Sequence, residues 1–493
     1  MGKELPKNWV NVSLQDVTKN VKGKKPKIQS EIEFEGSIPY MDIKALEYSV
    51  IRQFADIESS KLFEEGDVAM VWDGARSGWV SKTNFGAIGS TLVAFKPIKI
   101  NSNYLFYYLL DKYPFINSNA RGVGIPHVDP TVLWDLKFPL PPLAEQNRIV
   151  DKLDRLFAQL ETIKTSMEKV PLLLKDFRQQ VLTQAVTGKL TEEWRKGKEL
   201  EAWKNILLND ICNSITDGDH QAPPQVNEGV PFLVISNVSK GYFEFEKVSR
   251  FVPQEYYNSL KETRKPQKGD LLYTVTGSYG IPLLVDFDKE FCFQRHIAIL
   301  RPDNNKIYSN FLKILLKSDL IYTQARNVAT GTAQLTVPLG GIKKFEIKLP
   351  TLNEQQEIVN RVESLFGKAD TIEEQYKSLK NKIDTLPQAI LHKAFKGELS
   401  EQLDSDDDAR ELLQSIQSLR AERGTRAKRI EPLANPTKKG RKQESNNKKL
   451  DKKSTTKEHE DMIASSLAMT AKNYPEGDGV LGMVAEEKIE YKS

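Results

Sequence analysis

Three short patterns in this 493-residue chain invite a chemical reading. Asp217-Gly-Asp-His220 offers carboxylates and an imidazole to a cation, Glu244-Phe-Glu-Lys247 has the carboxylate–x–Lys spacing of some nuclease sites, and Arg121-Gly-Val-Gly124 could open a phosphate loop. None is completed elsewhere. An Asp- and Gly-rich turn accounts for the first, the second is short enough to arise by chance, and the third is a lone Gly-x-Gly turn. No Gly-rich loop ends in Gly-Lys-Ser/Thr, and no Asn/Asp-Pro-Pro-aromatic tetrapeptide or Gly-rich strand–helix turn provides for a methyl-donor cofactor. Two cysteines, Cys212 and Cys292, and five scattered histidines build neither a disulfide framework nor a zinc site.

What the loops do contain is the chemistry of nucleic-acid contact. Arg, Asn and Gln read base edges bidentately, while Lys, Ser, Thr and backbone amides hold phosphates. On that ground the candidate DNA-binding residues are Lys24, Lys25, Arg76, Ser77, Lys82 and Arg121 in the first part of the chain. In the second part they are Asn237, Ser278, Tyr279, Arg295, His296, Arg326, Thr332 and Gln334. Any one of these residues alone reads as ordinary surface. Their clustering on variable segments is the signal.

Those segments are variable relative to each other because the chain is written twice. Leu140-Pro-Pro-Leu-Ala-Glu-Gln146 returns as Leu349-Pro-Thr-Leu-Asn-Glu-Gln355, and the offset of 209 holds without a gap to Glu192 and Glu401, with 17 identities over 53 positions. Upstream, the copies share only apolar or turn-forming anchors: Trp9 with Trp203, Pro39-Tyr40 with Pro231-Phe232, Gly66-Asp67 with Gly269-Asp270, and Ser102-Asn103 with Ser309-Asn310. A shared scaffold carrying two sets of loops gives this pattern.

Periodicity supplies the elements. Asp67–Trp72 and Asp270–Val275 read as strands, Tyr104–Leu110 and Phe311–Leu316 as short helices, giving an α+β class. Ile149, Leu153, Leu156, Leu160 and Ile163 continue through Met167 and Val170 at helical spacing, and Ile358, Val362, Leu365, Ala369, Ile372, Tyr376, Leu379, Ile383 and Leu386 do the same. Two long helices pairing as an antiparallel coiled coil are expected from these stripes, with Pro171 and Pro387 ending or kinking them. An amphipathic helix packed on its own domain is the plainer alternative. No apolar run is long enough to cross a membrane and the start has no apolar signal core, so a cytoplasmic protein is expected. Arg420 to Lys457 carries 14 Lys/Arg against four acidic residues, a solvated linker or a nucleic-acid-binding arm.

In Leu140-Pro-Pro-Leu-Ala-Glu-Gln-Asn-Arg-Ile-Val150, Ala185-Val-Thr-Gly-Lys-Leu190, and the repeats Leu349–Gln355 and Ala394-Phe-Lys-Gly-Glu-Leu399, the chain resembles the specificity subunits of type I restriction–modification enzymes. The resemblance covers residues 5–401. It implies two tandem target-recognition domains separated by the two long helices, a pseudo-two-fold internal repeat. The expected segments are a first recognition domain at 1–142, a central helical region at 143–195, a second recognition domain at 196–350, a helical region at 351–401 and a charged tail at 402–493.

The function implied is that of a non-catalytic subunit. It would recognise a bipartite, asymmetric double-stranded DNA target and scaffold two methyltransferase and the restriction/translocase subunits. No cofactor would bind this chain; S-adenosylmethionine, ATP and Mg2+ would belong to the partners. Two other readings stand beside it: a self-sufficient modification or restriction enzyme with diverged motifs, and a coiled-coil adaptor without DNA specificity.

Overall fold

The computed structural model describes residues 5–83, 85–218 and 222–428. The basic stretch beyond 428, and Asp219 and His220 of the Asp-rich turn, lie outside the described residues. The chain divides into two compact units: Glu168–Lys377 forms one, and the residues on either side of it form the other. The units therefore do not follow the linear order of the five expected segments. Each takes a variable half plus helix from both repeated regions.

The first unit is built on a four-stranded antiparallel sheet ordered Thr18–Lys22, Leu92–Pro97, Val68–Val71 and Val80–Lys82. All four residues of the interior strand Val68–Val71 are buried, as an unbroken apolar run predicts. A smaller sheet, ordered Gln29–Ser30, Phe54–Asp56, Ser37–Met41, Gly86–Ile88 and Leu62–Phe63, contains a parallel pair, Tyr40-Met41 beside Ala87-Ile88. The helix Ser102–Ser118 packs into the same core. Its side chains from Tyr104 to Leu110 are buried on every face, the mark of an interior helix. It is longer than the sequence pattern suggests, because Asn101 caps it by accepting from the amides of Asn103 and Tyr104, and it continues through Pro114.

The second unit repeats the plan. Its four-stranded sheet runs Cys212–Asp217, Ile297–Pro302, Leu271–Thr274 and Pro282–Leu284, and its smaller sheet Phe251–Val252, Val230–Leu233 and Cys292–Phe293 also holds one parallel pair. Here the counterpart helix is cut at Ser318, whose extended backbone separates Ser309–Lys317 from Asp319–Val328.

In both units the repeated Glu-Gln pair is an internal peg. Glu145 and Glu354 are fully buried and accept the indole N–H of Trp9 (2.8 Å) and Trp203 (3.0 Å), respectively. Gln146 Oε1 accepts the Asn101 amide and Gln355 Oε1 the Tyr308 amide, while their Nε2 groups donate to the carbonyls of Pro141 and Pro350. The second carboxylate oxygen differs. Glu354 takes the Thr191 hydroxyl and faces the Arg195 guanidinium at 3.2 Å; Glu145 takes the Ser400 hydroxyl and the Gln402 amide.

The repeated region folds as the helices Leu143–Met167 and Val170–Thr187, the break falling just before Pro171, and as one helix, Leu352–Phe395. Pro387 does not end that helix. It is buried, and Leu391, Ala394 and Phe395 beyond it join the first unit's core, which offsets the missing backbone hydrogen bond. Ile149, Leu153 and Leu160 share that core with Ile383, while Ile358 and Val362 share the second unit's core with Val181 and Leu182. Leu156 and Leu365 are half-buried. Ile163, Ile372, Leu379 and Leu386, however, are exposed, so burial is not continuous along the apolar stripes. The tail's helical pattern is the helix Ala409–Lys428, held to the first unit by Ile416 in the core and by Asp406, which pairs with Arg148. Among the described residues no helix is long and apolar enough to cross a membrane.

Candidate nucleic-acid interface

In the first unit two segments meet at one end of the central sheet: the turn Trp72–Gly78 between adjacent strands, and the loop Arg121–His127 that follows the helix Ser102–Ser118. The loop closes on itself through paired backbone bonds, Arg121 N–H to the His127 carbonyl (2.9 Å) and the reverse (2.7 Å). It is fastened to the turn by the Gly74 amide donating to the Pro126 carbonyl and the Val128 amide donating to Trp72. Asn117 adds a brace, its side-chain amide donating to the carbonyls of Ala75 and Ser77.

The second unit builds the same device with other residues. The loop Thr330–Thr336 closes by reciprocal backbone bonds of 2.9 and 2.8 Å. Gly277 donates to Leu335, and Val337 to Val275, in the places of Gly74–Pro126 and Val128–Trp72. Gly122 and Gly331 occupy one position, at φ +108° and +114°. A side chain there would put its Cβ 2.5 Å from the Ile125 carbonyl oxygen in one loop and 2.4 Å from that of Gln334 in the other. Both loops demand glycine at that point.

The candidate residues distribute unevenly over this frame. Arg121 lies at the base of its loop, paired with Asp129, and Arg76 in the turn pairs with Glu47 at 2.6 Å, a hydrogen bond that raises the guanidinium pKa. Ser77 belongs to the same turn but is fully buried, its Oγ without a partner among the described residues. Lys24 and Lys25 are exposed on the segment after Thr18–Lys22. Lys82 lies elsewhere: its ammonium sits over the rings of Phe106 and Tyr107, near the other end of the helix from Asn117, and burial lowers its pKa.

In the second unit Ser278, Thr332 and Gln334 are exposed on the turn and loop. Tyr279 stacks on Tyr322, ring centres 5.7 Å apart and planes within 11°. Burial and the hydrogen bond with Tyr322 raise its phenol pKa, while Arg326 opposes them. His296 is joined to the turn by its carbonyl, which accepts the Val275 amide; burial and then neighbouring Arg295 lower its imidazole pKa, favouring the neutral form. Asn237 is buried instead, its side chain accepting the Val234 amide and donating to the Lys247 carbonyl, which makes it a brace of the fold.

Residue types alone missed His127, Val123 and Ile125 on the first loop, and Tyr322 on the helix Asp319–Val328. A signal existed. The offset of 209 continues upstream of the clear repeat, pairing Gly122 with Gly331 and Val128 with Val337. The Glu244–Lys247 pattern folds as structure. Glu244 is buried with its carboxylate between Lys240 (2.9 Å) and Lys247 (2.6 Å), and Cys212 and Cys292 are pushed up to about 12 by burial, so neither thiol is poised as a nucleophile. Among the described residues no three His, Cys, Asp or Glu side chains converge to hold a metal.

The model of the type I restriction modification DNA specificity domain matches residues 6–172 and again 201–381. The chain is 33% identical over 352 residues to the EcoBI type I restriction enzyme specificity subunit of Escherichia coli, covering 66% of this chain and 73% of that one. It is 27% identical over 407 residues to the MjaVIII specificity subunit of Methanocaldococcus jannaschii, covering 81% and 94%. Among solved structures, the fold is shared with the HsdS subunit of Thermoanaerobacter tengcongensis, at a TM-score of 0.58 and 19% identity, over 80% of this chain and 98% of that one.

Proposed function

Since the chain belongs to the type I restriction–modification DNA specificity family, we propose that each of its compact units reads one half of a split, asymmetric DNA target through its turn and braced loop. The observation that carries this reading is one backbone device, built twice, with different side chains at equivalent positions. Rigid scaffolds with divergent loops give two specificities from one fold. Each mismatched pair costs about 1–3 kcal/mol, so two modest readers multiply into a selective one.

On this reading the chain supplies address and spacing in the cytoplasm and leaves chemistry to others. The long helices would pair antiparallel about a pseudo-two-fold axis, set the gap between half-targets and dock two methyltransferase subunits, to which restriction/translocase subunits attach. S-adenosylmethionine, ATP and Mg2+ would be bound by those partners. The test is methylation mapping in a host that carries this chain together with its methyltransferase. The expected result is modification at an interrupted sequence with two unlike halves. Methyl transfer by the purified chain alone, or modification without a split target, would overturn the reading.

A further inference from the structure

The two braced loops differ most at their tips. In the first, Val123 is 90% and Ile125 70% exposed, branched aliphatic side chains that belong to no core cluster among the described residues. At the same two positions the second loop carries Thr332 and Gln334, both exposed. Isolated surface aliphatics are ordinary. These two are held out by a constrained backbone: the loop is pinned by the Arg121–His127 bonds and by Gly74 to Pro126, and Gly122 admits no side chain. Gly124 between them has nothing within 4 Å of its Cβ position, so the apolar tip stands in open space. Local charge does not explain it, since the nearby cations Lys22, Arg76 and Arg121 are each paired with a carboxylate.

Resting on the reading of the chain as a two-part DNA reader, we propose that Val123 and Ile125 are specificity-determining residues that read the first half-target by apolar contact with thymine methyl groups. In the major groove the C5-methyl is the apolar feature that distinguishes base pairs; every other distinguishing group is a hydrogen-bond donor or acceptor. An exposed aliphatic tip can make that contact and can pair with none of the donors and acceptors. The second loop is of the opposite kind, because Gln334 carries the donor–acceptor pair that suits adenine.

The experiment uses the full chain assembled with its methyltransferase, on duplexes of the mapped target in which single thymines are replaced by deoxyuridine. The unmodified protein should lose roughly tenfold in methylation efficiency at one or two thymines of the first half, the scale of a single methyl contact. The V123S/I125S protein should be indifferent to the same replacements while reading the second half unchanged. V123N/I125Q, which likewise removes both aliphatic tips, should behave the same way. Unchanged thermal midpoints would show that the exposed substitutions leave the fold intact. A first half without thymine, indifference of the unmodified protein to every deoxyuridine, or sensitivity retained in both variants would overturn the assignment while leaving the two-part reading in place. If no split target is methylated at all, both fall together.

Discussion

Beside the first unit's turn and loop three cations already have a carboxylate, Lys22 with Asp73, Arg76 with Glu47 and Arg121 with Asp129, while Lys24 and Lys25 are exposed with no ion pair among the described residues. Around the second, Thr276 stands in the place of Asp73 and Pro338 in that of Asp129, and Arg295 and Arg326 have no ion-pair partner among the described residues. An arginine pre-paired with a carboxylate must exchange that partner before it can hold a phosphate. A free one needs only to release counterions. On the proposed reading the same frame would offer two modes of contact, one led by shape and apolar surface, the other by charge, hydroxyls and a stacked tyrosine pair.

The most damaging way to break the comparison is at what both units share. Replacing Glu354 by Ala should take the acceptor from the half-buried indole of Trp203 and leave the buried Thr191 hydroxyl only its long bond to the Gly188 carbonyl, and replacing Glu145 by Ala should take the acceptor from the buried Trp9 indole and the half-buried Ser400 hydroxyl. Each loss should cost about 3 kcal/mol. Hydrogen exchange should show protection falling only within Glu168–Lys377 for the first variant and only outside it for the second. Protection lost evenly over the chain would refute the division into two independent frames.

Smaller effects sharpen the contrast in charge. Arg326→Ala should weaken DNA binding several-fold and reduce the salt dependence by about one phosphate contact. Arg121→Ala, whose charge is already compensated by Asp129, should change the salt slope by less than half as much. Equal slopes for the two variants, measured by titration at several salt concentrations, would remove the distinction between the readers.

A pH effect is expected at the helix Ala409–Lys428 of the first unit. The hydrogen bonds from Arg148 hold the Asp406 carboxyl below its ordinary value, so this pair contributes stability above the unfolded carboxylate pKa, about 3.9, and loses it as pH falls through the lower folded value. Exchange protection of the helix Ala409–Lys428 should fall below about pH 4, and Arg148→Ala should weaken that dependence, leaving the part set by Asp408, whose carboxyl is held low by the Arg410 amide. The least effect is expected at Arg178, whose bonds to Asp370 (2.6 Å) and Glu373 (2.9 Å) are part-exposed; Ala there should cost under about 1 kcal/mol in thermal unfolding.

Much of this architecture was legible in the chain. The duplication, the strands around Val68–Val71 and Leu271–Thr274, and the break before Pro171 follow from repeat, alternation and proline geometry. The role of the Glu-Gln pair was not, because Trp9 and Glu145 meet across 136 residues and only the fold brings them together. Nor was the sharing of the long helix between units, since the apolar stripe runs on through Ile372 and Leu379, which burial leaves exposed. On the turn and loop of each unit the residue types pointed to Arg121, Arg76, Thr332 and Gln334 as candidates but could not tell a surface residue from a brace. Asn237 and Ser77 have the right chemistry and the wrong burial. Val123 and Ile125 were passed over because apolar side chains carry no hydrogen-bonding signature.

The central claim is that the two loops are interchangeable frames with separate outputs. Transplanting Thr330–Thr336 into the place of Arg121–His127, with the register kept at the shared glycine, tests it most directly. Methylation mapping of that chain with its methyltransferase should show an altered first half-target, an unchanged second half and the original spacing between them. A change in the second half, or an identical target after the exchange, would contradict it.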